Sequence, residues 1–417
     1  MKIRVLFPQI TQISADIYLK SAKICDISGK QLLSALIIIF TKYYLASFMA
    51  KSSGRLVSLD IFRGLTLAFM IIVNTPGSWQ YVYSPLEHSK WNGCTPTDLV
   101  FPFFLFIVGM STWYSLKKYG GEFNGSSLFR IFRRMAAIFA IGLFLNIFPY
   151  FGRDYSTLRI MGVLQRIALA YGLGAIICLS VRREYLWIVV AVILLLYWGL
   201  LVFFGGADPY SLGGNFVLKA DLGILGKNHL YKGFGIPFEP EGLLSTLPAI
   251  GTVVIGYFIG GMLGKGSASG KTVLKLLLFG VAAAGLGYLW NMIFPINKPL
   301  WTSSYVLYSA GIAMGVLAII YLIADVFKFQ TWGTFFMVFG TNAIFAYFLS
   351  GIWTRLMLII KISSGGNTIN LYDWLYSKIC VPIAGNLNGS LMFAFIQMLL
   401  IWGVVLILYR KKIMIRL

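Results

Sequence analysis

The chain alternates long apolar stretches with shorter polar connections, which is the pattern of a protein that crosses a membrane several times. A helix needs about 20 mostly apolar residues to span the hydrocarbon core. Ten such stretches follow residue 53, near 56–74, 98–116, 132–150, 161–180, 186–204, 242–264, 272–294, 302–324, 332–352 and 391–410. We therefore predict an all-α integral membrane protein, with a bundle of about ten transmembrane helices in one domain over 54–417.

The first 53 residues are harder to assign. The stretch 32–50 is apolar but is interrupted by Lys42 and two tyrosines. It fits an eleventh span, an interfacial helix or an uncleaved signal, although a clean small-residue cleavage site is lacking. Met49 directly precedes the strong pattern, so 1–53 is predicted to be either an extra span or an upstream extension to a native start at Met49.

The composition supports the membrane class. Hydrophobic residues make up 58% of the chain, charged residues 12%, and the mean hydropathy is +0.80. A soluble domain has about 25% charged residues, so soluble globular and disordered proteins are excluded. The four cysteines form no CxxC pair, so the sequence predicts neither a disulfide framework nor a metal site.

The net charge of +21 indicates orientation rather than nucleic-acid binding. Cytoplasmic connections of membrane proteins collect Lys and Arg. If 51–55 is cytoplasmic, the basic residues concentrate in the connections on that side. This bias predicts a cytoplasmic C-terminus and places the long connections 75–97, 205–241 and 353–390 on the outward side. The expected partner is the lipid bilayer, and no nucleic acid.

Two pairs of polar residues inside predicted spans are candidates for function, because ionisable groups there are costly and often functional. Asp60 and Arg63 are three residues apart on the first span and can pair with each other. They form either a structural ion pair or a site where Arg63 meets a phosphate. Gln165 and Arg166 lie in the fourth span, and Arg166 either belongs to a buried structural pair or contacts an anionic ligand.

The first outward connection is rich in proline, glycine and aromatic residues, which is typical of a structured loop. It contains His88, one of only two histidines in the chain. Histidine is the usual proton acceptor near neutral pH, so His88 is either a catalytic base or a solvated loop residue. Asp98 opens the second span, where it could also cap the helix. The second histidine, His229, lies between Asn228 and Tyr231 in a loop that could bind a sugar.

Several motifs occur in order between 54 and 417. They are Arg55-Leu56-x-Ser58-x-Asp60-x-Phe62-Arg63-Gly64, Val73-Asn74, His88-Ser89-Lys90-Trp91-Asn92-Gly93-x-Thr95, Asp98-Leu99-Val100-Phe101-Pro102, Arg159-Ile160-x-Gly162-Val163-Leu164-Gln165-Arg166, Asn228-His229-Leu230-Tyr231, Glu239-Pro240-Glu241-Gly242-Leu243-Leu244 and Asn297-Lys298-x-Leu300-Trp301-x-x-Ser304-Tyr305. In these motifs the chain resembles the heparan-α-glucosaminide N-acetyltransferases and their bacterial relatives. The resemblance implies a multi-span enzyme that uses cytosolic acetyl-CoA to acetylate glucosamine across a membrane.

The resemblance also implies roles for individual residues. The family's catalytic histidine falls on His88 and its partner asparagine on Asn74, and Asp98 is expected to hold the His88 tautomer or a sugar hydroxyl. The residues expected to bind the coenzyme are Arg63, Gln165 and Arg166. Those expected to bind the sugar are Trp91, Asn92, His229, Glu239 and Glu241.

The expected activity is acetyl transfer from cytosolic acetyl-CoA to glucosamine or a terminal glucosaminide on the outward side, without a metal. Direct transfer is preferred to a route through an acetylated His88, but the sequence leaves both open. The alternatives are a transporter for amino sugars, which also places charges inside spans, and a structural or assembly protein. The large luminal domain of the lysosomal enzyme has no counterpart here, so we expect a bacterial inner membrane protein. A homodimer is an open expectation.

Overall fold

The computed structural model of the protein describes residues 56–118, 120, 122–149, 154–264, 266, 268–364 and 367–415. The predicted extension 1–53, with its proposed eleventh span and alternative start, lies outside the described residues. The part of the chain that the structure describes is almost entirely helical, as the apolar pattern predicts.

Most of the long helices cover the predicted apolar stretches, but two of them, Gly125–Ile147 and Val381–Arg410, begin well before the predicted 132–150 and 391–410. Their bounds are α1 Val57–Asn74, α2 Val100–Lys118, α3 Gly125–Ile147, α4 Val163–Ser180, α5 Leu186–Phe204, α6 Phe216–Leu225, α7 Thr246–Leu263, α8 Gly270–Trp290, α9 Ser303–Tyr321, α10 Thr334–Thr341, α11 Ala343–Ile359, α12 Leu371–Leu375 and α13 Val381–Arg410. A short antiparallel hairpin, β1 Lys361–Ser364 and β2 Asn367–Asn370, precedes α12.

Within the described residues, eight helical segments are long and apolar enough to cross a membrane, and a bent pair gives a ninth. The chain is thus a multi-pass membrane protein. Helix α3 is not among these segments, and its first half carries Arg130, Arg133 and Arg134. The count of ten spans therefore stays a prediction.

The ninth predicted span is broken. Helices α10 and α11 meet at Asn342 with a bend of 71°. The side-chain amide of Asn342 donates to the carbonyl oxygen of Ile413 (3.0 Å) and accepts from the backbone N–H of Ile415 (2.8 Å). The bend thus provides the attachment point for the last described residues of the chain.

Close helix contacts depend on small residues. Helices α2 and α7 pack along their length. A Cβ atom on Gly109 would lie 1.9 Å from the carbonyl oxygen of Val253, and one on Gly256 would lie 2.1 Å from that of Phe106. Glycine at these positions lets the two backbones approach, which is how helices associate where lipid supplies no hydrophobic driving force.

The connections that the sequence predicts to face outward meet at one end of the bundle. The indole N–H of Trp91 donates to the carbonyl oxygen of Tyr210 (2.8 Å), which joins 75–97 to 205–241. The hydroxyl of Tyr372 donates to the carbonyl oxygen of Pro76 (2.5 Å), which adds the third connection. We call this end of the bundle the loop end; which side of the membrane it faces stays a prediction.

Candidate active site

His88 and Asp98 form a hydrogen-bonded pair at the loop end. Nδ1 of His88 lies 2.7 Å from Oδ1 of Asp98. Asp98 belongs to a short 3₁₀ turn, Pro96–Leu99, that leads into α2, and its side chain is only 1% exposed. The His88 side chain is 45% exposed. Asp98 is therefore fixed inside the protein, whereas the His88 ring is accessible to solvent or to a substrate.

The Asp98 carboxylate is held by several donors besides His88. Its Oδ2 accepts from the backbone N–H groups of Ser89 and Thr95 (both 3.0 Å) and from the Thr95 hydroxyl (3.1 Å). The Tyr305 hydroxyl donates to the Asp98 carbonyl oxygen (2.5 Å). These bonds include a capping box, which explains why Thr95 and Asp98 are three residues apart at this helix start.

The pair sets the state of the imidazole. Because Nδ1 faces a carboxylate oxygen, the neutral tautomer with its hydrogen on Nδ1 can donate that hydrogen to Asp98. Nε2 then keeps its lone pair and is free to accept a proton. An oriented imidazole of this kind is the arrangement needed for a general base.

Lys298 joins the pair from the connection between α8 and α9. Its amino group lies 3.0 Å from Nδ1 of His88 and 3.3 Å from Oδ1 of Asp98. Burial lowers the pKa of Lys298, although the charges of Asp98 and Glu241 act in the opposite direction. The sequence showed Lys298 only as part of a motif, because its partners lie about 200 residues earlier in the chain.

Trp91 and Asn92 hold the His88 loop against the rest of the loop end. The Trp91 ring packs edge-on against Phe234 and Phe238, with centroids 5.9 and 5.5 Å away. Oδ1 of Asn92 accepts from the side-chain amide of Asn297 (3.1 Å). Both residues thus have positioning contacts, and their predicted role in sugar binding stays a prediction.

A polar cavity lies between α1, α3, the start of α4 and α11, with a volume of about 250 Å³. Asn74 lines it and is exposed, whereas Gln165 lines it and is buried, with its side-chain amide donating to the carbonyl oxygen of Ile160 (3.0 Å). Its other polar lining residues are Thr75, Asn146, Arg159, Ser350, Thr354 and Arg355. His88 is not among the residues that line it, so the predicted catalytic residues divide between the cavity and the His88–Asp98 pair.

Arg159 connects the cavity to two acids. Its guanidinium binds Glu239 through two nitrogens (2.9 and 2.5 Å) and Glu241 through one of these (2.6 Å). Burial raises the pKa of Glu239 more than Arg159 lowers it. Burial alone would raise the pKa of Glu241 too, but the charges of Arg159 and Arg166 outweigh it and lower the pKa. Arg159 was not among the predicted site residues, although it belongs to the motif that also contains Gln165 and Arg166.

His229 lies beside this cluster. Its Nδ1 donates to the carbonyl oxygen of Leu158 (2.6 Å), and its own carbonyl oxygen accepts from the N–H of Ile160 (3.3 Å). The guanidinium of Arg159 lies over the Tyr231 ring, 4.7 Å from its centroid. The two predicted sugar-binding acids and His229 are therefore brought together around Arg159.

Arg63 and Arg166, both predicted to bind the coenzyme, lie at opposite ends of the bundle. Arg63 binds Asp60 (3.0 Å), the Ser111 hydroxyl (2.6 Å) and the Gly340 carbonyl oxygen (3.1 Å). Ser111 is in the second half of α2, away from the loop end.

Arg166 is fully buried at the loop end. It donates to the Ser245 hydroxyl and to the Gly242 carbonyl oxygen (3.3 Å), and it lies 5.0 Å from the Trp301 ring centroid. Its Nε and Nη1 atoms have no hydrogen-bond partner among the described residues. The two arginines could therefore contact only different parts of a long ligand.

No cluster of three or more metal-binding side chains occurs within the described part of the chain, and the predicted lack of a metal stays a prediction.

Comparison of the sequence with known proteins identifies a family. The model of the family described as "Heparan-alpha-glucosaminide N-acetyltransferase, catalytic" matches residues 55–288. Human heparan-alpha-glucosaminide N-acetyltransferase is 30% identical over 353 residues, covering 70% of this chain and 52% of that protein. The mouse protein of the same name is 31% identical over 357 residues, covering 71% and 53%. The chain thus spans about half the length of these curated relatives, and it belongs to the family of heparan-alpha-glucosaminide N-acetyltransferase catalytic domains.

Proposed function

We propose that the protein transfers an acetyl group from cytosolic acetyl-CoA to the amine of glucosamine, or of a terminal glucosaminide, on the outward side of the membrane. The observation that carries this proposal is the His88–Asp98 pair, in which a buried carboxylate orients an exposed imidazole. Amide formation from a thioester needs such a base, because only an unprotonated amine attacks the carbonyl carbon.

The reaction balances without a further reactant. His88 Nε2 accepts a proton from the sugar ammonium, and the amine nitrogen attacks the acetyl carbonyl carbon. A C–N bond forms, the C–S bond breaks, and coenzyme A leaves as a thiolate that takes up the second proton lost by the attacking nitrogen, while His88 returns the first proton to solvent. We favour this direct transfer over a route through an acetylated His88, because the cavity and the His88–Asp98 pair could hold the donor and the acceptor at the same time.

The polar cavity suits the acetyl end of the donor. The side-chain amides of Asn74 and Gln165 line it, and an amide N–H is the kind of donor that stabilises a developing oxyanion. Arg159, which also lines the cavity, forms ion pairs with Glu239 and Glu241. The two carboxylates are the groups that would bind the sugar ammonium.

The far end of the donor is assigned to the opposite end of the bundle. Arg63 lies there, and its side chain is 22% exposed, so a coenzyme phosphate could approach it. In this proposal the donor enters near Arg63, and the acceptor binds at the loop end. The proposed location is a bacterial inner membrane, with the loop end outward and the C-terminus cytoplasmic.

The test uses purified protein with acetyl-CoA and glucosamine. We expect thiol release and N-acetylglucosamine formation in equal amounts, with both abolished in His88→Ala and restored in part by added imidazole. Binding of acetyl-CoA should persist in this variant. Turnover of His88→Ala near the wild-type rate would contradict the role of His88, and sugar counterflow without acetylation would favour a transporter.

A further inference from the structure

The amino group of Lys298 is placed against both members of the His88–Asp98 pair. It lies within 3.3 Å of the Asp98 carboxylate and 3.0 Å from Nδ1 of His88, and its side chain is only 19% exposed. A lysine whose side chain moved freely in solvent would not keep contacts with both Asp98 and His88. The three groups form a compact cluster with one carboxylate, one ammonium and one imidazole.

The segment that carries Lys298 is fixed by its own network. The buried Asn297 side chain accepts from the N–H of Leu300 (2.7 Å) and donates to Asn92 (3.1 Å). The N–H of Gly93 donates to the carbonyl oxygen of Ile296 (2.7 Å), so the segment is also bound to the His88 loop through the backbone. Trp301 adopts a left-handed φ of 54°, which is rare for a bulky residue and closes the turn after Lys298.

These contacts have an electrostatic consequence for His88. A carboxylate alone beside Nδ1 stabilises the imidazolium, which cannot act as a base. An ammonium at the same distance destabilises the imidazolium and also neutralises the carboxylate. The other titratable groups within electrostatic reach of Lys298 are Glu241 and Cys94. Burial raises the pKa of Cys94 to about 12, so its thiol stays neutral at physiological pH and adds no charge.

We propose that Lys298 is a positioning residue that keeps His88 neutral at physiological pH by sharing the Asp98 carboxylate with it. This inference rests on the proposed function in one respect only, namely that the neutral His88 acts as a base. Lys298 keeps its proton throughout, since its amino group lies 3.3 Å from the Asp98 carboxylate. Without Lys298, the unopposed Asp98 would hold a proton on His88 at a pH where the amine must be deprotonated.

The test is a pH titration of the His88 ring by NMR, on full-length protein with ¹⁵N-labelled histidine in nanodiscs. The chain has two histidines, so His229→Gln assigns the His88 signals. Lys298→Met removes the charge and keeps the chain length. We expect its His88 titration midpoint to lie about 1 pH unit above that of the wild type, because the ring is partly exposed and the charge is partly screened.

Matched variants separate charge from packing. Lys298→Arg keeps the charge and should stay within about 0.3 pH unit of the wild type, whereas Lys298→Gln should behave like Lys298→Met. Lys219→Met removes an exposed lysine from α6 and should not move the midpoint. An unchanged or lowered midpoint in folded Lys298→Met and Lys298→Gln would overturn the proposal.

The NMR titration needs no turnover, so it stands even if the protein is not an acetyltransferase. If the wild type is active, the acidic limb of its pH profile for kcat/KM should move up by about 1 unit in Lys298→Met. Activity should then recover at higher pH, which a merely structural defect would not produce. If Lys298→Met shifts the His88 midpoint but the wild type shows no acetyl transfer, this inference stands and the proposed function is contradicted instead.

Discussion

Replacing Asp98 by Asn removes the charge behind His88 while keeping the shape of the side chain. In the wild type, one carboxylate oxygen accepts from Nδ1 of His88 at 2.7 Å, and the other accepts from Ser89 and Thr95. An asparagine oxygen can keep the bonds to Ser89 and Thr95. Its NH₂ group then faces His88, so the ring must accept through Nδ1 and carry its hydrogen on Nε2.

The magnitude follows from the lost bond. A hydrogen bond to a charged group contributes about 1.5–3 kcal/mol, and about 1.4 kcal/mol corresponds to a tenfold change in rate. The loss of this bond alone therefore gives a decrease of about 10- to 150-fold. The inverted tautomer removes the base as well, so we expect kcat to fall by at least about 100-fold, with KM for both substrates changed by less than about threefold.

The assay is thiol release from acetyl-CoA with glucosamine as acceptor, alongside thermal unfolding of the same preparations. Asp154→Asn, which changes an exposed acid in another connection that is predicted to face outward, is the matched control and should keep wild-type kcat. A folded Asp98→Asn protein that keeps more than about a third of wild-type kcat would refute the argument that Asp98 orients the base.

Three further predictions concern orientation, the cavity and pH. In a background without native cysteines, a membrane-impermeant thiol reagent should label Gly213→Cys from outside the cell but not Ser126→Cys; the reverse pattern would invert the orientation. Gly142→Ala should raise KM for acetyl-CoA, because its added Cβ would lie 2.4 Å from Oε1 of Gln165 and displace that side chain in the cavity; an unchanged KM would argue that Gln165 does not contact the donor. Burial raises the pKa of Asp221 from 3.8 to about 6 in the folded protein. The protonated carboxyl therefore contributes its full stabilisation of the fold below the unfolded pKa of 3.8, and this contribution is lost as pH rises through about 6. Asp221→Asn should therefore gain up to about 3 kcal/mol relative to the wild type between pH 4 and 8, measured by unfolding, and a pH-independent difference would contradict this.

The positions of the membrane helices could be predicted because each depends on a local run of apolar residues. The break at Asn342 could not, since the apolar pattern continues across it and the bend is stabilised by the distant residues Ile413 and Ile415. The hairpin at 361–370 was likewise absent from the predicted connection.

Within the candidate site, the His88–Asp98 pair could be predicted because the two residues lie in consecutive motifs, ten positions apart. Lys298 is 210 positions from His88 along the chain, and only the folded bundle brings it there. The separation of Arg63 from Arg166 is also a property of the packing, since both are charged residues in apolar helices and the sequence gives them no distinguishing feature.

The central claim is that an acetyl group passes from one side of the membrane to an amine on the other. The most direct test seals acetyl-CoA inside proteoliposomes and supplies glucosamine only outside. The account predicts N-acetylglucosamine outside and an equal amount of free coenzyme A thiol inside, with neither formed by His88→Ala. Acetylation only when both substrates share one compartment, or sugar uptake without acetylation, would contradict it.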